Sequence, residues 1–133
     1  DVYKRQVERL ARGKSLSERL DLSIDILTDY LFKHPEVSNL ILFGYFNKAD
    51  TDRVTDIKIG DYTSGIAVAM DLAEDKAHVP VQAKARILAV WNCVLNFISA
   101  ENFFRPILNV DHSDYQKVVK ETLKFMMVPA FTK

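Results

Sequence analysis

The sequence has little of what extracellular, membrane-spanning and turn-rich proteins depend on. Cys93 is the single cysteine, so no internal disulfide can form and an oxidising compartment is not implied. Four glycines and four prolines in 133 residues are too few for an all-β fold built on tight turns. The longest apolar stretch, residues 87–100, is interrupted by Asn92 and Asn96 and is too short and too polar to cross a bilayer. These absences predict a soluble, helical, cytoplasmic protein without a membrane partner.

The chain also lacks net charge. Its eighteen Lys and Arg residues match eighteen Asp and Glu residues, which argues against a chain that binds nucleic acid along its whole length. The distribution is uneven: residues 1–20 hold six basic and three acidic residues, residues 21–80 hold five and eleven, and residues 81–133 hold seven and four. Solvated helix faces of different sign are the simplest explanation of this acidic middle between basic ends.

The ends of the chain suggest a three-part division. The first residue is Asp1 instead of methionine, and the run 1–6 resembles translated adaptor sequence. Residues 1–20 are charged throughout and have no apolar core of a signal peptide. We therefore expect residues 1–14 to be a non-native or truncated connecting segment, residues 15–128 to form one all-helical domain, and residues 129–133 to be a tail.

Caps and prolines delimit the first two predicted helices. Ser15 and Glu18 have the spacing of a capping box, and an apolar periodicity follows as far as Lys33. Pro35 disfavours helical geometry in the residue before it and can itself open a second helix. This second helix extends to about Phe46 and is so apolar that we expect it to be buried on most sides.

The next segment permits two interpretations. Residues 54–59 alternate apolar and polar side chains as a strand does, whereas the wider spacing of apolar residues is helical. We favour one helix from about Thr51 to Asp75. Within it, Gly60 and Gly65 mark a bend, a close approach or simple tolerance of glycine, each at a cost of roughly 1 kcal/mol relative to alanine.

Two further helices complete the predicted architecture. Pro80 opens a helix with a broad apolar face, which ends before an irregular segment at Arg105 and Pro106. Ser113 begins a second capping-box pattern, which opens a last helix to residue 126 or 127, closed by Pro129. The sequence thus predicts an all-α, five-helix, bundle-like orthogonal array in which the last two helices form a dimer interface.

The sequence contains no readable catalytic or metal-binding pattern. The three histidines lie far apart, and none has a ligating residue one helical turn later. Cys93 has apolar neighbours, as expected of an inert buried thiol. Asp21, Asp25 and Asp29 share one helical face, which favours a solvated stripe over a catalytic carboxylate pair. We therefore expect no enzymatic activity, no metal and no cofactor.

Two features of the apolar residues suggest a binding function instead of a catalytic one. Aromatic and methionine side chains are placed among the helices so that they can either line an apolar ligand cavity or form ordinary core. The predicted ligand-binding residues are Tyr30, Phe43, Phe46, Tyr62, Met70, Trp91 and Phe97. The last two helices are also more apolar than a monomer of this size easily covers, so they either pair with a second copy or form a fully internal core.

Two segments resemble a known family. The run Lys33-His34-Pro35-Glu36-Val37, after a capped helix and before a short apolar one, resembles the ligand-binding half of TetR-type transcriptional regulators. The run Phe103-Phe104-Arg105-Pro106-Ile107-Leu108, followed by an amphipathic helix, is similar to the end of that domain. The resemblance covers roughly residues 16–127.

The resemblance implies a function. In that family an N-terminal helix-turn-helix binds operator DNA, and the all-helical C-terminal part binds an inducer and dimerises through a four-helix bundle. This chain would then be the effector-sensing and dimerisation domain of a repressor, with a homodimer partner and a small apolar or aromatic effector. It would contact DNA only through an N-terminal head missing from these residues. An effector that favours a tilted connecting helix would move the two heads away from the half-site spacing.

The resemblance also implies which residues meet the second copy. The interface residues carried over are Ile87, Trp91, Val94, Ile98, Tyr115, Val118, Val119, Leu123 and Met126. The alternative to this function is an all-helical protein–protein interaction domain without a small-molecule site.

Overall fold

The computed structural model describes residues 12–47 and 53–132, with Arg5 and Arg9 before them, and gives only the backbone for residues 53–59. Within these ranges the chain forms six helices and no strand. The helices are α1 (Leu16–Lys33), α2 (Pro35–Phe46), α3 (Arg53–Ala69), α4 (Val81–Ser99), α5 (Glu101–Leu108) and α6 (His112–Phe131). The all-α class is confirmed, while the bundle-like arrangement of the helices stays a prediction.

The first two helices have the limits that the sequence predicted from Ser15, Glu18, Pro35 and the apolar run to Phe46. The Ser15 hydroxyl accepts from the Glu18 backbone N–H at 3.2 Å and donates to the Glu18 carboxylate at 2.9 Å. The Ser15 backbone N–H also donates to this carboxylate, which completes the capping box. These hydrogen bonds hold the pKa of Glu18 below its usual value, with a smaller contribution from the positive charge of Lys14. Pro35 is the first residue of α2, as predicted.

The third predicted helix is right in type but wrong at its end. Residues 54–59 are helical, so the strand interpretation is wrong. The helix stops at Ala69 instead of reaching Asp75. The predicted start at Thr51 lies outside the described residues.

A Schellman motif ends α3 early. Asp71 has a left-handed backbone, with φ of 58°. The Leu72 N–H donates to the Ala67 carbonyl at 2.8 Å, and the Asp71 N–H donates to the Val68 carbonyl at 3.1 Å. Leu72 also packs against the cluster that contains Ala67, which is the apolar contact typical of this motif. The chain therefore turns back although the apolar spacing continues.

The two glycines of α3 mark no close approach. A Cβ added at Gly60 meets nothing within 4 Å among the described atoms, and one at Gly65 meets Lys76 Cε at an ordinary 3.5 Å. Of the interpretations open from the sequence, tolerance of glycine fits these distances.

The fourth predicted helix is divided in two. α4 ends at Ser99, and the Ala100 carbonyl then accepts from the N–H groups of Phe103 and of the next residue, at 3.0 and 2.9 Å. α5 begins there and includes Arg105 and Pro106, so the prediction that these two residues are irregular is wrong.

The last helix is capped by a different residue from the predicted one. The Asp111 carboxylate accepts from the Asp114 backbone N–H at 2.8 Å, so Asp111 is the N-cap and the prediction of Ser113 is wrong. Pro129 was expected to close the helix but lies inside it, because α6 continues to Phe131. In the last turn the missing proline N–H removes only one hydrogen bond.

Contacts divide the described chain into two compact units. The first unit contains the residues before Glu36 and those from Phe97 onward, with α1, α5 and α6. The second unit is Glu36–Asn96, with α2, α3 and most of α4.

In the first unit α1 packs against α6. The buried side chains recur at helical spacing on both helices. They are Ile24, Thr28 and Leu31 on α1, and Tyr115, Val119, Leu123 and Met127 on α6. One apolar stripe on each helix therefore forms the core of this unit.

Ion pairs border this core. Lys124 Nζ lies 2.9 Å from the Asp25 carboxylate and 3.3 Å from that of Asp21, and Lys120 pairs with Asp29. Desolvation acts to lower the pKa of Lys124, but the hydrogen bonds and charges of the two aspartates outweigh it and raise the pKa. The three aspartates predicted as a solvated stripe are thus partners of lysines on α6.

A buried cluster in the second unit consists mostly of small side chains. Its members are Ala67, Val79, Ala83 and Ile87, and Ile66, Leu72, Ala73 and Trp91 pack against them. The buried Ser38 hydroxyl donates to the Leu95 carbonyl at 2.9 Å and ties α2 to α4. Thr63 and Met70 are also buried in this unit.

Candidate functional site

The predicted ligand-binding residues are divided between the two units. Tyr30 and Phe97 lie in the first unit. The Tyr30 ring lies against His34, with ring centres 4.9 Å apart, and Phe97 meets Phe104 edge-on at 5.8 Å. The other five residues lie in the second unit.

The prediction that α2 is buried on most sides is wrong, because Ser38 is its only buried residue and the predicted ligand-binding residues on it face solvent. Leu40, Phe43 and Phe46 are 71%, 62% and 79% exposed, and their spacing of three residues places them on one side of the helix. Tyr62 on α3 is exposed as well. In this structure the two phenylalanines thus belong to a surface and do not line an enclosed cavity, and their part in ligand binding stays a prediction.

Trp91 is the predicted ligand-binding residue with the most unusual surroundings. It packs against the core cluster of the second unit, and its ring N–H is buried with no hydrogen-bond acceptor among the described residues. A buried polar group without a partner costs about 1–3 kcal/mol. Most buried donors in native proteins are paired, so this one requires an explanation.

A surface depression of about 550 Å³ lies beside the same core. It opens broadly to solvent and is lined by the turn after α3. The lining residues are Val68, Asp71, Leu72, Ala73 and Glu74. Leu72 and Ala73 also pack against the cluster that Trp91 contacts. The sequence prediction missed this feature because it extended the helix through the turn that forms it.

The predicted dimer interface is mostly covered within the chain itself. Six of its members are buried: Ile87, Val94, Ile98, Tyr115, Val119 and Leu123. Trp91 and Val118 are partly exposed, and Met126 is exposed. A second copy can reach the buried members only if the helices separate. Dimerisation itself stays a prediction.

α5 presents an apolar face that the sequence reasoning did not identify. Phe103 and Ile107 are 70% and 69% exposed, whereas the Glu101 side chain is only 14% exposed. The helix buries none of its residues fully. Phe125 on α6 is also exposed. The sequence did contain a signal, because Glu101 and Arg105 are one helical turn apart and Phe103 lies between them, but Pro106 argued against a helix there.

The charged residues of α5 face the start of α6. The Glu101 carboxylate lies 3.3 Å from Arg105 Nε and also contacts His112 Nδ1. The other ring nitrogen of His112 lies 2.7 Å from the Gln116 amide. This polar cluster connects the two helices while leaving the apolar side of α5 uncovered.

Tyr115 completes the end of α4. Its buried hydroxyl donates to the Phe97 carbonyl at 2.6 Å. This carbonyl is among the last four of the helix, which have no partner within it. Burial raises the pKa of Tyr115 to about 12, and the negative charge of Glu101 adds to the effect. The tyrosine is therefore a buried cap in its neutral form.

No three metal-ligating side chains come together in the ranges 12–47 and 53–132. Cys93 is a free, partly buried thiol in α4. In the same ranges no single helix is long and apolar enough to cross a membrane, and only α4 and α5 taken together, as a sharply bent pair, have the length and composition.

No family model, curated protein or solved structure matches this chain.

Proposed function

We propose that this chain is a dimerising and effector-sensing domain of the kind found in TetR-like regulators, in which a separate head contacts DNA. The observation that carries the proposal is the orientation of α5. This amphipathic helix directs Glu101 toward the protein and holds Phe103 and Ile107 in water. Exposed apolar faces of this kind mark association sites.

The second copy is the partner that fits these side chains best. In a symmetric pair each copy contributes the same patch, so every exposed apolar residue counts twice. Covering Phe103, Ile107 and Phe125 on both copies would yield about 1–2 kcal/mol per side chain, or about 6–12 kcal/mol in total. Association costs about 4–15 kcal/mol, so we expect a dimer that dissociates on dilution.

Sedimentation velocity over a wide range of protein concentration tests the dimer. We expect a monomer–dimer equilibrium in the wild type and a monomer in the double variant Phe103→Gln/Ile107→Gln. The matched control Phe43→Gln/Phe46→Gln removes equally exposed side chains from α2 and should leave the equilibrium unchanged. A wild type that stays monomeric, or a loss of dimer in the control alone, would overturn the assignment to α5.

The effector-sensing part draws support from the second unit. Trp91, Leu72 and Ala73 pack against the same buried cluster, and Leu72 and Ala73 also line the open depression. Trp91 is the single tryptophan, so tryptophan fluorescence, excited where the five tyrosines do not absorb, reports on the surroundings of this one residue. We expect a diverse set of small apolar compounds to contain members that change this fluorescence in a saturable way. If none does, the domain does not sense an effector.

A second candidate function is favoured by the stripe of α2. Leu40, Phe43 and Phe46 form an apolar row that a helix from another protein can cover. Such a domain would associate without a small-molecule site. A monomeric wild type combined with silent fluorescence would favour this candidate over the first.

A further inference from the structure

The exposed face of α5 carries no charge. Four exposed side chains at positions i, i+1, i+4 and i+5 form this face, which occupies one side of the helix. They are Asn102, Phe103, Pro106 and Ile107. The charged residues of the helix, Glu101 and Arg105, pair with each other on the opposite side. A second copy can therefore approach this face without bringing like charges together.

The ring of Phe103 is supported by its neighbour in the chain. The ring centres of Phe103 and Phe104 lie 5.7 Å apart, with their planes at 67°. Phe104 in turn meets Phe97 of α4 at 5.8 Å. A supported side chain has less conformational freedom to lose on association. Phe103 is therefore suited to anchor an interface, as buried aromatic residues commonly do.

The four side chains form two rows along α5. Phe103 and Ile107 make an apolar row, and Asn102 and Pro106 make a second row beside it. A symmetric pair of these helices can form in two ways. A two-fold axis across the helices makes them antiparallel and stacks each row on the same row of the second copy. A two-fold axis along the helices makes them parallel and stacks each row on the other row.

The antiparallel pair makes the better contacts. It places Phe103 against Ile107 of the second copy, so that a large apolar side chain meets a smaller one on both sides of the axis. The amide of Asn102 then lies at the edge, where water can reach it. The parallel pair would press Phe103 against Asn102 of the second copy and would take a polar amide out of water. It would also place two helix dipoles side by side in the same direction.

We propose that two copies of this chain associate through an antiparallel pair of α5 helices, in which Phe103 of each copy packs against Ile107 of the other. This proposal rests on the dimer proposed above and supplies its orientation. Because the same face is used by both copies, the contact is closed by symmetry and association stops at two.

Cross-linking of mixed single-cysteine variants tests the orientation. The variants Asn102→Cys and Pro106→Cys keep the apolar row intact, and Cys93→Ala in both removes the native thiol. In the antiparallel pair residue 102 of one copy lies beside residue 106 of the other, within the separation that a disulfide spans. Residue 102 of one copy and residue 102 of the other are displaced by roughly 7–8 Å along the helix axis, at about 1.5 Å per residue, and are too far apart to link.

The expected result is a preference for the mixed product. We expect oxidised glutathione to link Asn102→Cys to Pro106→Cys at least tenfold faster than it links Asn102→Cys to itself. Mass spectrometry separates these products when one variant is labelled with ¹⁵N. Asn39→Cys places a thiol at an exposed position of α2 and is the control for random collision, so it should not link to Pro106→Cys.

The outcomes separate the orientation from the dimer itself. If Pro106→Cys links to itself faster than to Asn102→Cys, the helices are parallel and the proposed orientation is wrong. A dimer in sedimentation velocity whose cysteines do not link also overturns this pairing, while the dimer stands. A wild type that sediments as a monomer overturns both.

Discussion

Each unit contains an aromatic side chain with a buried polar atom, but only the one in the first unit is hydrogen-bonded to a described residue. In the first unit the Tyr115 hydroxyl donates to the Phe97 carbonyl at 2.6 Å. In the second unit the Trp91 N–H is equally buried and finds no acceptor among the described residues. The first arrangement closes a helix end, whereas the second leaves a donor for something that the described part of the chain does not supply.

The groups at the edges of the two cores also differ. The core between α1 and α6 is bordered by the ion pairs of Lys120 and Lys124. The buried cluster of the second unit lies beside an open depression, and three of its four members are alanine or valine. We infer that the core between α1 and α6, together with its ion pairs, is the framework that stabilises the first unit, whereas α5 of the same unit presents the association surface proposed above.

Truncating the framework has the largest expected effect. Leu123 is fully buried between α6 and α1, so Leu123→Ala removes apolar contacts and leaves a cavity. We expect a loss of about 3–5 kcal/mol in the free energy of unfolding, measured by urea denaturation. Met126→Ala is the control on the same helix, because Met126 is exposed and should cost well under 1 kcal/mol. Similar losses in both variants would show that α6 does not pack as described.

Alkaline pH should weaken the framework through Tyr115. Its pKa is raised from 10 to about 12 in the folded state, so folding favours the protonated hydroxyl. The contribution is therefore complete below pH 10 and is lost as the pH rises through 12, by on the order of 2 kcal/mol. We expect the unfolding free energy of the wild type to fall more steeply over this interval than that of Tyr115→Phe. Parallel curves would contradict the raised pKa.

At neutral pH, removing the hydroxyl of Tyr115 or of Ser38 shows which of these two buried hydrogen bonds contributes more to stability. Tyr115→Phe leaves the Phe97 carbonyl at the end of α4 without a donor, and we expect a cost of about 1–2 kcal/mol. Ser38→Ala in the second unit should cost less, about 0.5 kcal/mol. The Leu95 carbonyl lies inside α4 and already accepts from the N–H four residues later. Thermal denaturation of both variants measures the difference, and equal costs would mean that Tyr115 is not a cap.

The sequence predicted the features that depend on neighbouring residues, but not those that depend on residues far apart in the chain. The limits of α1 and α2 followed from Ser15, Glu18 and Pro35, since capping bonds and proline geometry act within a few residues. The pairing of Asp25 with Lys124 joins residues far apart in the chain, and no local pattern indicates it.

The predicted interface shows the same limit. Apolar periodicity identifies the side of a helix that is covered, but it does not say whether the same chain or a second copy covers it. Val119 and Leu123 were therefore assigned to a partner, whereas α1 covers them. Conversely, the unpaired N–H of Trp91 depends on the absence of neighbours, which sequence spacing cannot reveal.

The smallest expected effect concerns the left-handed residues that end one helix in each unit. α3 ends with Asp71 and α5 with Asn109, both in the left-handed region at φ of 58° and 56°. Glycine adopts this geometry without a steric cost, and asparagine tolerates it better than most residues. We therefore expect Asp71→Gly to stabilise the chain by about 1 kcal/mol and Asn109→Gly by about 0.5 kcal/mol or less, measured by urea denaturation. A loss of stability in Asp71→Gly would mean that the Asp71 carboxylate makes a contact that outweighs its backbone strain, so that the turn after α3 depends on this side chain as well as on the Schellman hydrogen bonds.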